Sequence, residues 1–245
     1  PGTQVVAVTD TSSVTYDETV PTLAPVSIAS GNANPALAKT GDTVTVSFTA
    51  SELLIGLPTV TIDGNAADAV NALGGNAYSA TRVMQAGDTE AAVVFTIDFT
   101  DAAGNPGTQV VAVTDTSSVT YDETAPVTTA GAGPSDPSNV ADPSFAFTAT
   151  DTGGTGVALS QATLTKPDLS TVGPVAVTSP FNLSAVLGSA LPTDGTADGV
   201  YTMSVVSTDN AGNVESTATW TWTYDTTAPT LAPVSIASGN ANPAL

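Results

Sequence analysis

Histidine and cysteine are both absent from the 245 residues, and lysine plus arginine number three against 23 aspartate and glutamate, a formal charge of −20. Without histidine or cysteine, the usual zinc sites, Ser-His-Asp and Cys-His catalysis and disulfides are excluded. Lys39, Arg82 and Lys166 are the only cations. Three of them cannot neutralise a phosphate backbone, which excludes nucleic acid as a partner. The same shortage argues against docking on an anionic membrane. No apolar run approaches the length of a membrane-spanning helix, and the first residues do not read as a basic-then-apolar leader.

The residues that remain point to strands. Apolar residues make up 41% of the chain, enough for packed cores, while charged residues make up only 11%. The apolar set leans on Val, Ala and Ile, and threonine is abundant, a composition suited to pleated, half-buried surfaces. The surface is therefore built largely of Thr, Ser, Asn and Gly.

Internal repetition sets the organisation. Pro1–Thr19 recurs letter for letter as Pro106–Thr124, and Pro21–Leu37 recurs as Pro229–Leu245. A looser signature, Asp-x-Thr-x-Pro, falls at Asp17–Pro21, Asp122–Pro126 and Asp225–Pro229. These marks predict four pieces. Residues 1–19 are the C-terminal strand or strands of a preceding repeat, 20–124 one repeat, 125–228 a repeat of a second type, and 229–245 the first strand of a following one. The chain reads as a window on a longer tandem array.

Within each repeat the period is two. Thr43–Ala50 alternates Val44, Val46 and Phe48 with Thr and Ser, as a strand with one buried face must. Strands are also expected at Pro58–Asp63, Ala77–Met84, Ala92–Thr100 and Gln109–Thr120. In the second repeat they are expected at Ser144–Thr150, Val157–Thr165, Pro174–Thr178, Val200–Thr208 and Glu215–Tyr224. Thr219–Tyr224 places Trp220, Trp222 and Tyr224 on one face, which reads as core. Asp63-Gly64-Asn65 and Asp194-Gly195 read as hairpin turns. No helical period is seen. About seven short strands in a repeat of this length predict an all-β chain of tandem immunoglobulin-like β-sandwiches joined end to end by short linkers. Strands of about 8–10 residues make each sandwich roughly 30–40 Å long.

The string VTVSFTASE (44–52), the turns TDAAGN (100–105) and TDNAGN (208–213), and the boundaries YDETAP (121–126) and YDTTAP (224–229) carry a resemblance. The chain resembles the bacterial immunoglobulin-like (Big-type) tandem repeats of giant surface adhesins and biofilm-associated proteins. The second repeat departs from that pattern where Asp151 replaces the Ser-Glu step and where 164–191 turns rich in Pro, Ser and Gly. The resemblance implies an extracellular, bacterial cell-surface location, a structural or adhesive role, neighbouring repeats as partners, and joints stiffened by calcium.

One constellation carries chemistry. Asp17, Glu52 and Asp101 in the first repeat correspond to Asp122, Asp151 and Asp209 in the second, and Asp225 begins a third set. In an immunoglobulin sandwich the B–C and F–G loops share the end at which the chain enters. The boundary Asp and the two loop acids are therefore expected to meet at the joint with the preceding repeat. Two carboxylates about 5 Å apart repel by roughly 3 kcal/mol at an effective dielectric near 20, and no Lys or Arg lies nearby in sequence. A hard cation with 6–8 oxygen ligands relieves that repulsion, and Ca2+ suits it better than Mg2+, which keeps its waters. Asn105 and Asn213 offer an amide oxygen, though a left-handed turn position suits them better. The plain alternative makes Asp101 and Asp209 Asx-turn residues and the boundary Asp a turn cap. Asp151-Thr152-Gly153 matches the aspartic-protease triplet, but that chemistry needs two such carboxylates sharing a proton, and the triplet occurs once. Asn182-Leu183-Ser184 is a glycosylation sequon.

The expected function is a non-enzymatic, calcium-stiffened spacer or stalk segment of a surface adhesin or fibre. Two alternatives stand beside it. One is the subunit body of a self-assembling filament or sheath, with other copies of the chain as partners. The other is a glycan- or protein-binding module, which requires exposed aromatics, with Tyr78, Phe181 and Tyr201 as candidates.

Overall fold

A computed structural model describes residues 16–215 and 217–232. Of the expected terminal pieces, most of 1–19 and 233–245 lie outside the described residues. The chain divides into two compact units at Pro126/Val127, with the segments Asp151–Gly156 and Asp209–Asn213 packing as part of the first.

In the first unit, β1 (Leu23–Ser30), β3 (Thr43–Ala50), β7 (Ala77–Val83) and β6 (Ala69–Gly74) form one antiparallel sheet in the order β1-β3-β7-β6. A second sheet orders β5 (Asn65–Ala66), β4 (Thr59–Ile62) and β8 (Phe95–Asp98) as β5-β4-β8. β2 (Leu37–Ala38) pairs in parallel with β9 (Thr120–Tyr121). Alternation decides what is buried. Val44, Val46 and Phe48 of β3 point inward with Tyr78 and Ala80 of β7, and they meet Val60, Ile62, Phe95 and Ile97 of the other sheet in one core. Phe48 stacks on Tyr78 with centroids 5.6 Å apart.

The long closing strand expected at Gln109–Thr120 does not form. Only Val110 and Thr120 make bridges, to Ile97 and Ala92, and the strand proper is Thr120–Tyr121. The intervening segment meets the edge of β1 with one main-chain bond, from the Thr114 amide to the Val26 carbonyl at 2.9 Å, and otherwise with side chains. The Val26 and Ile28 amides donate to the Thr114 and Ser117 hydroxyls at 2.8 and 3.0 Å. The expected strand 92–100 shortens to Phe95–Asp98.

One ion pair joins the first unit internally. Arg82, 6% exposed, donates through both terminal nitrogens to Asp88 at 2.7 Å each. The guanidinium holds the Asp88 carboxyl below its ordinary range, and Asp88 in turn raises Arg82. No sequence period signals this pair, because Arg82 sits on an inward position of β7 and its partner arrives from the following turn.

The second unit contains β10 (Val127–Ala130) paired with β12 (Phe147–Thr150), β11 (Ser144–Phe145) paired with β15 (Phe181–Asn182), and a four-stranded sheet. That sheet orders β14 (Thr171–Ala176), β13 (Val157–Thr165), β16 (Gly199–Asp209) and β17 (Ala218–Tyr224) as β14-β13-β16-β17. Trp220, Trp222 and Tyr224 are buried, as the pattern requires, with Trp222 stacked on Tyr201 at 5.4 Å. Contrary to the sequence reading, a single helical turn occurs, α1 (Leu183–Leu187). It is too short to show a period. Leu183 and Val186 bury its inner side, and Asp142 anchors its start by accepting from the Ser184 amide at 2.8 Å. Asp63-Gly64 does form a hairpin turn, with both residues at positive φ between β4 and β5. Asp194-Gly195 does not, since it lies in the loop between α1 and β16.

Candidate functional site

The boundary motif is positioned by the tyrosine that precedes its acid. Tyr121 is buried, and its hydroxyl donates to the Gln85 carbonyl at 2.8 Å and meets the Thr40 hydroxyl at 2.7 Å. Burial raises its pKa. The next amide, that of Asp122, donates to the Ala38 carbonyl at 2.9 Å. Asp122 is thereby fixed in the first unit, where the segments 151–156 and 209–213 also lie.

Two groups of three carboxylates result. Asp17, Glu52 and Asp101 offer oxygens all within 4.8 Å of one another, and so do Asp122, Asp151 and Asp209. Six of the seven acids singled out in the sequence are thus gathered as two trios. Asp225 joins neither. Its carboxylate accepts from the Thr227 amide at 2.9 Å, and its own amide donates to the Ser138 carbonyl at 3.0 Å.

Each trio is organised by an Asx-type turn. Asp101 is buried, and its Oδ1 accepts from the amides of Ala103, Gly104 and Asn105 at 2.7–2.9 Å. Burial pushes the Asp101 carboxyl up, but the hydrogen bonds from Asn105, Gly104 and Ala103 together hold it below its ordinary value. Asp209 repeats the pattern, accepting from Gly212 and Asn213 at 2.6 and 2.8 Å. The asparagines do neither of the things expected of them. Asn105 and Asn213 are absent from the positive-φ residues, while Gly104 and Gly212 take that conformation at φ +99° and +90°. Their amides point nitrogen-first. Asn105 Nδ2 donates to the Asp17 carbonyl and to Asp101 Oδ2 at 3.1 and 2.8 Å, and Asn213 Nδ2 donates to the Asp122 carbonyl and to Asp209 Oδ2 at 2.9 and 2.8 Å. The amide oxygen is therefore not the atom turned toward the acids.

The second trio shows an unmet demand. Asp122 Oδ1 and Oδ2 accept from the Thr124 and Thr155 amides at 3.0 and 2.7 Å, and Asp151 Oδ2 accepts from the Gly156 amide at 2.6 Å. Asp151 Oδ1 is buried and accepts from nothing among the described residues. Burial raises the Asp151 carboxyl, the Gly156 N–H opposes this, and the charges of Asp122, Asp209 and Glu90 raise it further. In the first trio, burial and the charges of Asp17 and Asp101 raise Glu52. The close-packed 151–156 turn depends on Gly154, where a Cβ would collide with the Asp151 carboxylate. An all-carboxylate donor set with one orphaned oxygen fits a hard, oxygen-loving cation and offers nothing to a soft one. The Asp-Thr-Gly acid faces two other carboxylates but no second triplet of its kind.

The three aromatics singled out for a glycan-binding platform are not exposed. Tyr78, Phe181 and Tyr201 are 5%, 7% and 3% exposed and belong to the two cores.

Many solved structures match this chain. A 1.5-MDa bacterial ice-binding adhesin, described for host cell surface retention, matches over 85% of this chain and 65% of its own, with 17% identity and a TM-score of 0.50. The fold is immunoglobulin-like. Fibronectin(III)-like modules of Clostridium thermocellum CbhA match over 83% of this chain and 93% of theirs, at 15% identity and a TM-score of 0.39. The Yersinia pseudotuberculosis adhesin InvE matches over 84% of this chain and 58% of its own, at 11% identity and a TM-score of 0.29. The chain thus spans about two thirds of the ice-binding adhesin structure it matches. No protein-family model matches the sequence, and no curated protein matches it.

Proposed function

We propose that this chain is a structural tandem-repeat segment of an extracellular bacterial surface adhesin or fibre, and that it works as a calcium-stiffened spacer rather than as an enzyme. The observation that carries the reading is the orphaned Asp151 Oδ1, buried within a trio of carboxylates of which none forms an ion pair with Lys or Arg among the described residues. Calcium would be held by Asp122, Asp151 and Asp209, with Asp17, Glu52 and Asp101 as the corresponding set. It would supply neutralisation and cross-bracing, tying the boundary segment to two turns that are distant in sequence. Extracellular modules bind Ca2+ with Kd of about 10⁻⁴–10⁻³ M. The letter-for-letter repeats suit a spacer, whose reach grows with copy number. The net charge of −20 favours solubility and self-avoidance.

Small-angle scattering of the chain in EDTA and in about 10 mM calcium tests this, the concentration being some tenfold above the weak end of that range. The spacer reading expects a narrower, longer distance distribution with calcium. Indistinguishable curves would remove the stiffening role.

One observation favours a second reading, in which copies assemble laterally into a filament. Leu53, Ile55 and Leu57 are 64%, 62% and 57% exposed on one short loop. Sedimentation velocity separates the two. The spacer stays monomeric at all concentrations, whereas the filament associates and loses that association in Ile55→Asp.

A further inference from the structure

Loop 209–213 is gripped from a second side by residues that have no part in the carboxylate trio. Lys39 Nζ donates to the Gly212 carbonyl at 2.6 Å, and Asn32 Nδ2 donates to the Ala211 carbonyl at 2.9 Å. Both donors are braced by one acid. Asp42 Oδ2 accepts from Asn32 Nδ2 at 2.7 Å and from the Lys39 amide at 2.9 Å. In sequence Lys39 lies 173 residues from Gly212. The fold brings its ammonium to a main-chain carbonyl of the turn, not to a carboxylate. Glycine at 212 is required by the turn's backbone, whose φ is +90°, and not by the approach of Lys39.

We propose that Asn32, Lys39 and Asp42 form a cation-independent latch whose partner is a D-x-A-G-N turn, recognised through two successive main-chain carbonyls. An ammonium beside a carbonyl makes a strong, charge-assisted hydrogen bond. Because main-chain atoms are read, any turn of that shape is accepted. The chain contains a second such turn, Asp101–Asn105, with the same internal hydrogen bonds from its amides to its Asp. The carbonyls of Ala103 and Gly104 accept no hydrogen bond among the described residues. Residues 1–19 repeat 106–124, so the partner that fits this open turn is the latch of a preceding copy of the same repeat. No cation enters the argument, so the latch stands or falls separately from the calcium reading.

Amide hydrogen exchange of the 245-residue chain in excess EDTA tests it. All five amides of 209–213 are hydrogen-bonded, so their exchange reports opening of the loop. In the wild type, protection of 209–213 is expected to exceed that of 101–105, and equal protection overturns the proposal. Lys39→Met should accelerate exchange of 209–213 by about tenfold, the effect of losing one charged hydrogen bond, while Thr43–Ala50 stays protected. Lys166→Met changes the net charge equally and should leave 209–213 unchanged. If Lys39→Met leaves the loop as protected as before, or Lys166→Met accelerates it as much, there is no latch. Should Lys39→Met unfold the unit as a whole, Asn32→Ala must still loosen 209–213 locally, and its failure to do so overturns the proposal.

Discussion

The side-chain amide of Asn213 donates to the backbone carbonyl of Asp122 at 2.9 Å. Asn105 makes the corresponding bond to Asp17 at 3.1 Å. In both trios, therefore, the asparagine of the A-G-N turn is a stitch between the turn and the boundary motif. It sets the separation of the acids without itself facing them through oxygen.

Asn213→Ala removes the bonds to the Asp122 carbonyl and to Asp209 Oδ2 together. Since one of the two acceptors is charged, a loss of about 1–2 kcal/mol is expected. Urea denaturation followed by far-UV circular dichroism reads it. An unchanged midpoint would show that the stitch is energetically idle.

Asp151→Asn is expected to act with opposite signs in two buffers. Burial and neighbouring charge raise the Asp151 carboxyl, so its ionised form destabilises the folded state, and this penalty grows as pH rises from the ordinary carboxylate range through the raised value. In EDTA at neutral pH the neutral amide should raise Tm. In calcium it should lower Tm relative to wild type, because a ligand is lost. The same sign in both buffers would contradict the assignment.

The Arg82–Asp88 pair makes a separate pH prediction. Asp88 is depressed by Arg82, so its contribution is fully present above its unfolded pKa and is lost as pH falls through the depressed one. Asp88→Asn leaves Arg82 buried and uncompensated, a cost of about 3 kcal/mol at neutral pH. The variant should also lose the acid limb that this pair gives the wild type. Equal acid sensitivity in the two proteins would assign that limb to other carboxylates.

The two tryptophans should differ under the same substitution. Trp220 Nε1 donates to the Gly131 carbonyl at 3.1 Å, whereas Trp222 Nε1 is buried with no partner among the described residues. Trp220→Phe orphans a carbonyl, while Trp222→Phe removes an unmet donor. After similar cavity costs, Trp222→Phe is expected to be the milder by about 1 kcal/mol. Both residues lie in the second unit, so the remaining tryptophan in each variant gives a fluorescence readout of that unit alone.

These particulars show where sequence patterns inform and where they stop. Period-two alternation placed Val44, Val46, Phe48, Trp220, Trp222 and Tyr224 inside, because alternation is enforced residue by residue along a strand. Repetition of Asp-x-Thr-x-Pro and of the A-G-N turn marked the acids that assemble, since a motif preserved in two copies occupies the same place in both. Contacts made through side-chain hydroxyls and across long separations left no periodic trace. Thr114 and Ser117 replaced a strand that alternation suggested, and Lys39 reached a turn 173 residues away. The direction of the Asn213 amide was equally invisible, because donor and acceptor share one side chain.

The central claim is that the carboxylate trios hold calcium. The most direct measurement is thermal unfolding of the 245-residue chain in excess EDTA and then in about 10 mM CaCl2. With a Kd of about 0.1 mM, saturation adds about 2.7 kcal/mol, a rise of several degrees in a domain of this size. The account predicts that rise, a smaller one with Mg2+, and its reduction in Asp122→Asn. An identical melting curve with and without calcium would contradict it, and would leave the trios as turn chemistry alone.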